Sequence, residues 1–96
     1  MRPSETLHSH RDTIRQVVAQ HHACNPRVFG SVIHGLDTEE SDLDLLVDPS
    51  ASTTLFTLAR LGHEAEALLK VRVSVLTPGF LSMKFRDLVL EQAQPL

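Results

Sequence analysis

Two carboxylates stand two residues apart at the head of an apolar run, Ser41-Asp42-Leu43-Asp44-Leu45-Leu46-Val47, and ten residues separate the first of them from the pair Gly30-Ser31. On a strand, Asp42 and Asp44 project from one face, because side chains alternate with a period of two. Carboxylates held that close repel each other unless a hard cation sits between them. Mg²⁺ takes such oxygen ligands and leaves its other positions for water and substrate phosphates. Gly30 has no Cβ and lets a phosphate approach the backbone closely. Ser31 offers a hydroxyl and a backbone N–H, the more so if it opens a helix whose N-terminal amides point outward. Together these residue types have the chemistry of metal-assisted nucleotidyl transfer.

The pattern Gly-Ser, about ten residues, then Asp-x-Asp resembles the signature of the nucleotidyltransferase superfamily. More narrowly, the chain is similar to the minimal nucleotidyltransferase (MNT) domain, the antitoxin half of HEPN–MNT toxin–antitoxin pairs. The likeness runs from the first helix through Val75-Leu76-Thr77-Pro78 to the C-terminal segment Phe85–Leu96. It implies an α/β fold, a small mixed β-sheet with flanking helices as in the polymerase-β-like catalytic core. It also implies transfer of AMP from ATP, with Mg²⁺ as cofactor, to a tyrosine hydroxyl of a HEPN RNase toxin, which is thereby silenced. In that scheme Asp42 and Asp44 are the catalytic and metal-binding residues, and Gly30 and Ser31 hold the nucleotide's phosphates.

One position departs from the family. Its third strand usually reads Val-Asp-x-Val-Thr-Pro, and that Asp completes the metal triad. Here Val73-Ser74-Val75-Leu76-Thr77-Pro78 puts Ser74 in the third-acid position. A serine carries no charge at neutral pH and is a poor general base. Asp48 does not replace the acid, since along a strand it lies about 13 Å from Asp44 at ~3.3 Å per residue. Asp37, Glu39 and Glu40, in the preceding loop, are the remaining acids to consider. His34 stands where the family often has Arg, and His⁺ can still donate to phosphate. Val32 and Ile33 read as packing residues of the short helix.

The elements that must position these groups follow from periodicity and capping. Ser4 reads as the N-cap of a helix over about 5–22, with Leu7, Ile14, Val17 and Val18 at helical spacing. Asn25-Pro26 breaks it. A strand over 27–30 ends at the Gly-Ser turn, and residues 31–41 read as a helical turn and polar loop. A second strand runs over 42–47, with Leu43, Leu45 and Val47 opposite the carboxylates. Thr53 or Thr54 caps a helix carrying Leu55, Leu58, Ala59, Gly62, Ala65, Leu68 and Leu69. Alternation over 71–76 gives a third strand, with Arg72 on the face of Ser74. Thr77-Pro78 then starts a last helix, with Leu81, Phe85, Leu88 and Val89 as its buried side.

Composition sets the outer limits. The 96 residues suit one domain, 1–96, with no room for a separate substrate domain. A net charge of −3 argues against direct nucleic-acid binding, and with no Trp or Tyr the chain lacks the large stacking aromatics. No apolar run reaches the length of a membrane span, and a single cysteine, Cys24, fits a reducing cytoplasm. Cys24 reads as a small buried residue. His8, His10, His21 and His22 do not converge and read as surface or boundary histidines. Arg72 reads as an exposed strand-end arginine ahead of a cleft residue.

Three functions remain open. The first is an active AMP-transferring antitoxin. The second is an antitoxin that neutralises its toxin by binding only, its catalytic site weakened by Ser74. The third is a transferase for a small molecule, which would need a homodimer to build its pocket.

Overall fold

The computed structural model describes residues 2–30, 37–38 and 41–96. Its centre is strand β2 (Leu43–Pro49), whose apolar run is buried throughout: Leu43, Leu45, Leu46 and Val47 are all fully inaccessible. A strand this apolar must be covered on both faces, and it lies inside a mixed four-stranded sheet of order β3-β2-β1-β4. β1 (Ala23–Phe29) runs antiparallel to it and β3 (Val73–Leu76) runs parallel. The two-residue strand β4 (Gln94–Pro95) closes the far edge, antiparallel to β1.

One face of the sheet carries Val28, Leu43, Leu45, Val47, Val73 and Val75, packed against Leu7, Ile14, Val17, Val18, Leu58, Leu61, Ala65 and Leu69 from three helices. These are α1 (Pro3–Ser9), α2 (Arg11–Gln20) and α3 (Leu55–Leu69). The expected placement of Leu43, Leu45 and Val47 opposite the carboxylates holds. α3 starts where its side chains permit: Thr54 Oγ1 accepts the Thr57 N–H, and the Thr57 hydroxyl accepts the Thr54 N–H. Gly62 lets α3 lie close to β3, where a Cβ would already touch Val75.

Several expectations need correction. The first helix is two helices, because Ser9 and His10 bond back to the carbonyls of Glu5 and Thr6 and His10 leaves helical geometry (φ −120°, ψ 19°). Ser4 lies inside α1 rather than capping it, since the helix begins at Pro3. Asn25-Pro26 does not end an element but sits within β1, where the register against β2 shifts between Cys24 and Arg27 and Asn25 takes φ +51°. Cys24 is exposed, on the solvent side of that irregularity.

The last helix differs most. Thr77-Pro78 opens only a 3₁₀ turn (Pro78–Phe80), and α4 (Met83–Gln92) starts afresh at Ser82, whose hydroxyl accepts the Lys84 N–H. Its expected buried side is open: Phe85 is 55% and Leu88 51% exposed. α1–α3 already cover the core face, and the C-terminal segment is anchored instead through β4, with the Leu96 N–H donating to the Pro26 carbonyl.

Leu45 tests this account of the core. Leu45→Ala should remove about 2–5 kcal/mol of stability, the range for truncating a fully buried leucine. Urea denaturation measures it, and a loss under about 1 kcal/mol would show that β2 is not the centre of the core.

Candidate functional site

The sheet register builds the site row by row. Asp44 pairs across the sheet with Phe29 of β1 on one side and Ser74 of β3 on the other. Paired residues share a face, so the face away from α2 and α3 carries Asp42, Asp44 and Ser74 at the end of β2 that follows the loop. Gly30 adjoins Asp44 directly. It takes φ +78°, and a Cβ built on it would overlap Asp44 Oδ2, so both backbone shape and space demand glycine here.

Asp44 is half-buried and Asp42 more exposed. Burial raises the Asp44 carboxyl above the ordinary carboxylate range, and the neighbouring charge of Asp42 adds to the shift. Two adjacent carboxylates, one of them partly desolvated, are hard oxygen donors short of positive charge. They fit a divalent cation that keeps open positions for water and phosphate oxygens. Among the described residues no third His, Cys, Asp or Glu joins them in a metal-ligating group. Ser74 occupies the place beside Asp44 that the sequence pattern assigns to a third acid.

Positive charge comes from Arg72. Its Nε donates to Asp42 Oδ1 at 3.0 Å, and the Leu43 N–H bonds the Arg72 carbonyl at 2.8 Å, locking the two strand ends together. Sequence reading put this residue on the Ser74 face but ranked it as a bland strand-end arginine. Parallel pairing of 43 with 73 sets 42 beside 72, a register that only the structure supplies.

The other acids are engaged elsewhere. Asp48 takes hydrogen bonds from Asn25 and from the Arg27 guanidinium. Asp37 is buried and its Oδ2 accepts the Ser4 N–H at 2.9 Å. Burial alone would raise its pKa, but the hydrogen bonds from Ser4, with its own backbone N–H and the charge of Arg2, together outweigh this and hold it below the ordinary range. Ser31, Val32, Ile33, His34, Glu39 and Glu40 lie outside the described residues. His8, His10, His21 and His22 do not converge. His21 pairs with Glu64 between α2 and α3, His10 bonds the Thr6 carbonyl, and His8 and His22 are exposed. The apolar groove between α3 and β3, lined by Leu55, Gly62, Val75 and Phe80, contains none of the candidate residues.

The Asp44 shift has a measurable consequence. Its folded-state pKa lies above the unfolded value, so its charge costs stability at neutral pH, and that cost vanishes as pH falls through the folded pKa. Asp44→Asn should therefore raise the Tm of metal-free protein at neutral pH. The gap should close by about pH 3, where the carboxyl is protonated folded or unfolded. A variant less stable than wild type at neutral pH would contradict the assigned cause.

Comparison with known proteins places the fold. The nucleotidyltransferase domain family matches residues 12–94. A candidate protein adenylyltransferase of Methanocaldococcus jannaschii is 31% identical over 77 residues, 80% of this chain and 83% of that protein. A solved structure described as a candidate minimal nucleotidyltransferase superposes with a TM-score of 0.87 at 43% identity, over 97% of this chain and 95% of that one. A toxin–antitoxin crystal structure with AMP-PNP shares the fold at a TM-score of 0.75 and 17% identity, over 88% of this chain and 69% of its own. With the strand order and these likenesses in accord, the chain belongs to the nucleotidyltransferase domain family, as a nucleotidyltransferase of the minimal type.

Proposed function

We propose that this chain is an antitoxin-type nucleotidyltransferase that transfers AMP from Mg²⁺–ATP to a hydroxyl, the tyrosine of a cognate HEPN RNase toxin, and so neutralises it. The observation that carries the reading is the carboxylate pair Asp42 and Asp44 set against the Gly30 turn. The adenylyltransferase relative supports the reaction type, and the fold shared with toxin–antitoxin structures is consistent with the setting.

In this reading Asp42 and Asp44 would hold Mg²⁺, which would supply charge neutralisation for the polyphosphate. Gly30 and Ser31 seat the phosphates against the backbone. The acceptor oxygen forms a bond to the α-phosphorus, the bond to the β-phosphate oxygen breaks, and pyrophosphate leaves with that electron pair. The acceptor's proton passes to solvent, since Ser74 is no base at neutral pH. Positioning and charge neutralisation then supply most of the rate. Ser74 weakens chemistry more than nucleotide binding.

Ser74 is also the observation that favours the second reading, an antitoxin that acts by occupying its toxin. The exposed apolar residues of α4 and the preceding turn, Phe80, Met83, Phe85 and Leu88, suit a chain that works in a complex under either reading.

Intact-mass measurement of the toxin encoded beside this chain, after incubation with ATP and Mg²⁺, separates the two. Transfer predicts a toxin heavier by one adenylyl group; an unmodified toxin in a stable complex selects the binding-only antitoxin. Ser74→Asp should raise transfer by about 10²-fold, the lower end for a positioned acid–base group. Ser74→Ala should change little, because serine supplies at most one hydrogen bond worth roughly 0.5–1.5 kcal/mol. Activity lost in Ser74→Ala and not raised in Ser74→Asp would overturn this account of the third position.

A further inference from the structure

Asp37 lies in the connection between the two halves of the site, seven residues after Gly30 and five before Asp42, and it is only 4% exposed. A loop carboxylate so deeply covered must be held by specific donors. Its Oδ2 accepts the Ser4 N–H at 2.9 Å, at the start of α1. α1 is itself fixed: Pro3, Thr6 and Leu7 are buried, and the Thr6 hydroxyl donates to the Leu69 carbonyl at the end of α3. Directly after Asp37 the chain turns on itself. The Thr38 N–H donates to Ser41 Oγ at 2.9 Å and the Ser41 N–H to the Thr38 carbonyl at 3.0 Å, and the next residue is Asp42. Hydrogen bonds therefore lead from the core, through α1 and Asp37, to the first carboxylate of the site.

We propose that Asp37 is a positioning residue of the nucleotide site, a clasp on α1 that sets how the connection from Gly30 presents Asp42 to the cation and the phosphates. The inference rests on the reading of Gly30, Asp42 and Asp44 as that site. A connection of this length would otherwise sample many arrangements, and fixing it at one interior point divides it into two shorter loops. A carboxylate suits the task, because a charged acceptor holds a backbone N–H roughly twice as strongly as a neutral one. Charge alone predicts the opposite of positioning. Removing an acid lowers the repulsion of a polyphosphate and should tighten ATP, whereas removing a clasp should loosen it.

Asp37→Ala and Asp37→Asn separate these effects, since both remove the charge and only asparagine keeps a side-chain oxygen for the Ser4 N–H. ATP is titrated by calorimetry into the intact chain at saturating Mg²⁺, at a temperature where circular dichroism shows each variant folded. Asp37→Ala should bind ATP roughly ten-fold more weakly, the scale of one lost hydrogen bond to a charged group. Asp37→Asn should stay within about three-fold of wild type, as a neutral oxygen keeps the bond in weaker form. The wild-type chain gives an independent reading that needs no substitution. By linkage, bound Mg²⁺–ATP should slow hydrogen exchange of the Ser4 amide by roughly the same ten-fold. Asp37→Ala binding ATP as well as wild type or better, Asp37→Asn as weak as Asp37→Ala, or Ser4 exchange unchanged by Mg²⁺–ATP would overturn the inference and leave Asp37 as an anchor of the fold only. Wild-type ATP binding that is absent, or equal in Mg²⁺ and EDTA, would instead overturn the nucleotide-site reading and this inference with it.

Discussion

Everything at the candidate site depends on where the Asp44 carboxylate is held. It projects from the central strand of the sheet, half-buried, between Phe29 and Ser74 in the neighbouring strands and against the backbone of Gly30. Desolvating a carboxylate is unfavourable, and a second carboxylate two residues away makes it more so. The fold tolerates this because β2 is anchored by a fully buried apolar set, Leu43, Leu45 and Val47, against three helices. The apolar face of one strand thus pins two charges in an arrangement they would not choose alone.

That constraint reaches outward. Gly30 must adopt positive φ and carry no Cβ, since Asp44 fills the space a side chain would need. β3 must pair in parallel with β2 so that 74 falls beside 44 and 72 beside 42. The electrostatic need created by the pair is met in part by Arg72 and is otherwise suited to a cation. Serine at 74 lowers the negative charge of the cluster relative to the usual three-acid pattern.

The carboxylate pair, the apolar face opposite it and the α3 cap, to within Thr53 or Thr54, were all legible in the sequence, because each rests on short-range spacing. A period of two, a period of three to four and a Thr-x-x-Thr cap are local rules. Most of what failed was non-local, the break at His10 excepted. The break at His10 comes from side chains bonding back to Glu5 and Thr6, and the passage of β1 through Asn25-Pro26 comes from its bulged pairing with β2. The apolar stripe of α4 was read as buried, since a stripe signals a partner without saying whether that partner lies in the same chain. Here the core face was already filled by α1–α3. Arg72 was placed on the right face, but its ion pair needed the register of β3 against β2, which no single strand reveals.

The central claim is that Asp42 and Asp44 form a cation-dependent nucleotide site. Calorimetric titration of the intact chain with ATP, in Mg²⁺ and again in EDTA, tests it most directly. The account predicts binding in Mg²⁺ that weakens at least about ten-fold in EDTA, the scale of one lost charge-assisted contact. The doubly substituted Asp42→Asn, Asp44→Asn chain should show the same weakening in Mg²⁺. Equal ATP affinity with and without the cation, or in the doubly substituted chain, would contradict it.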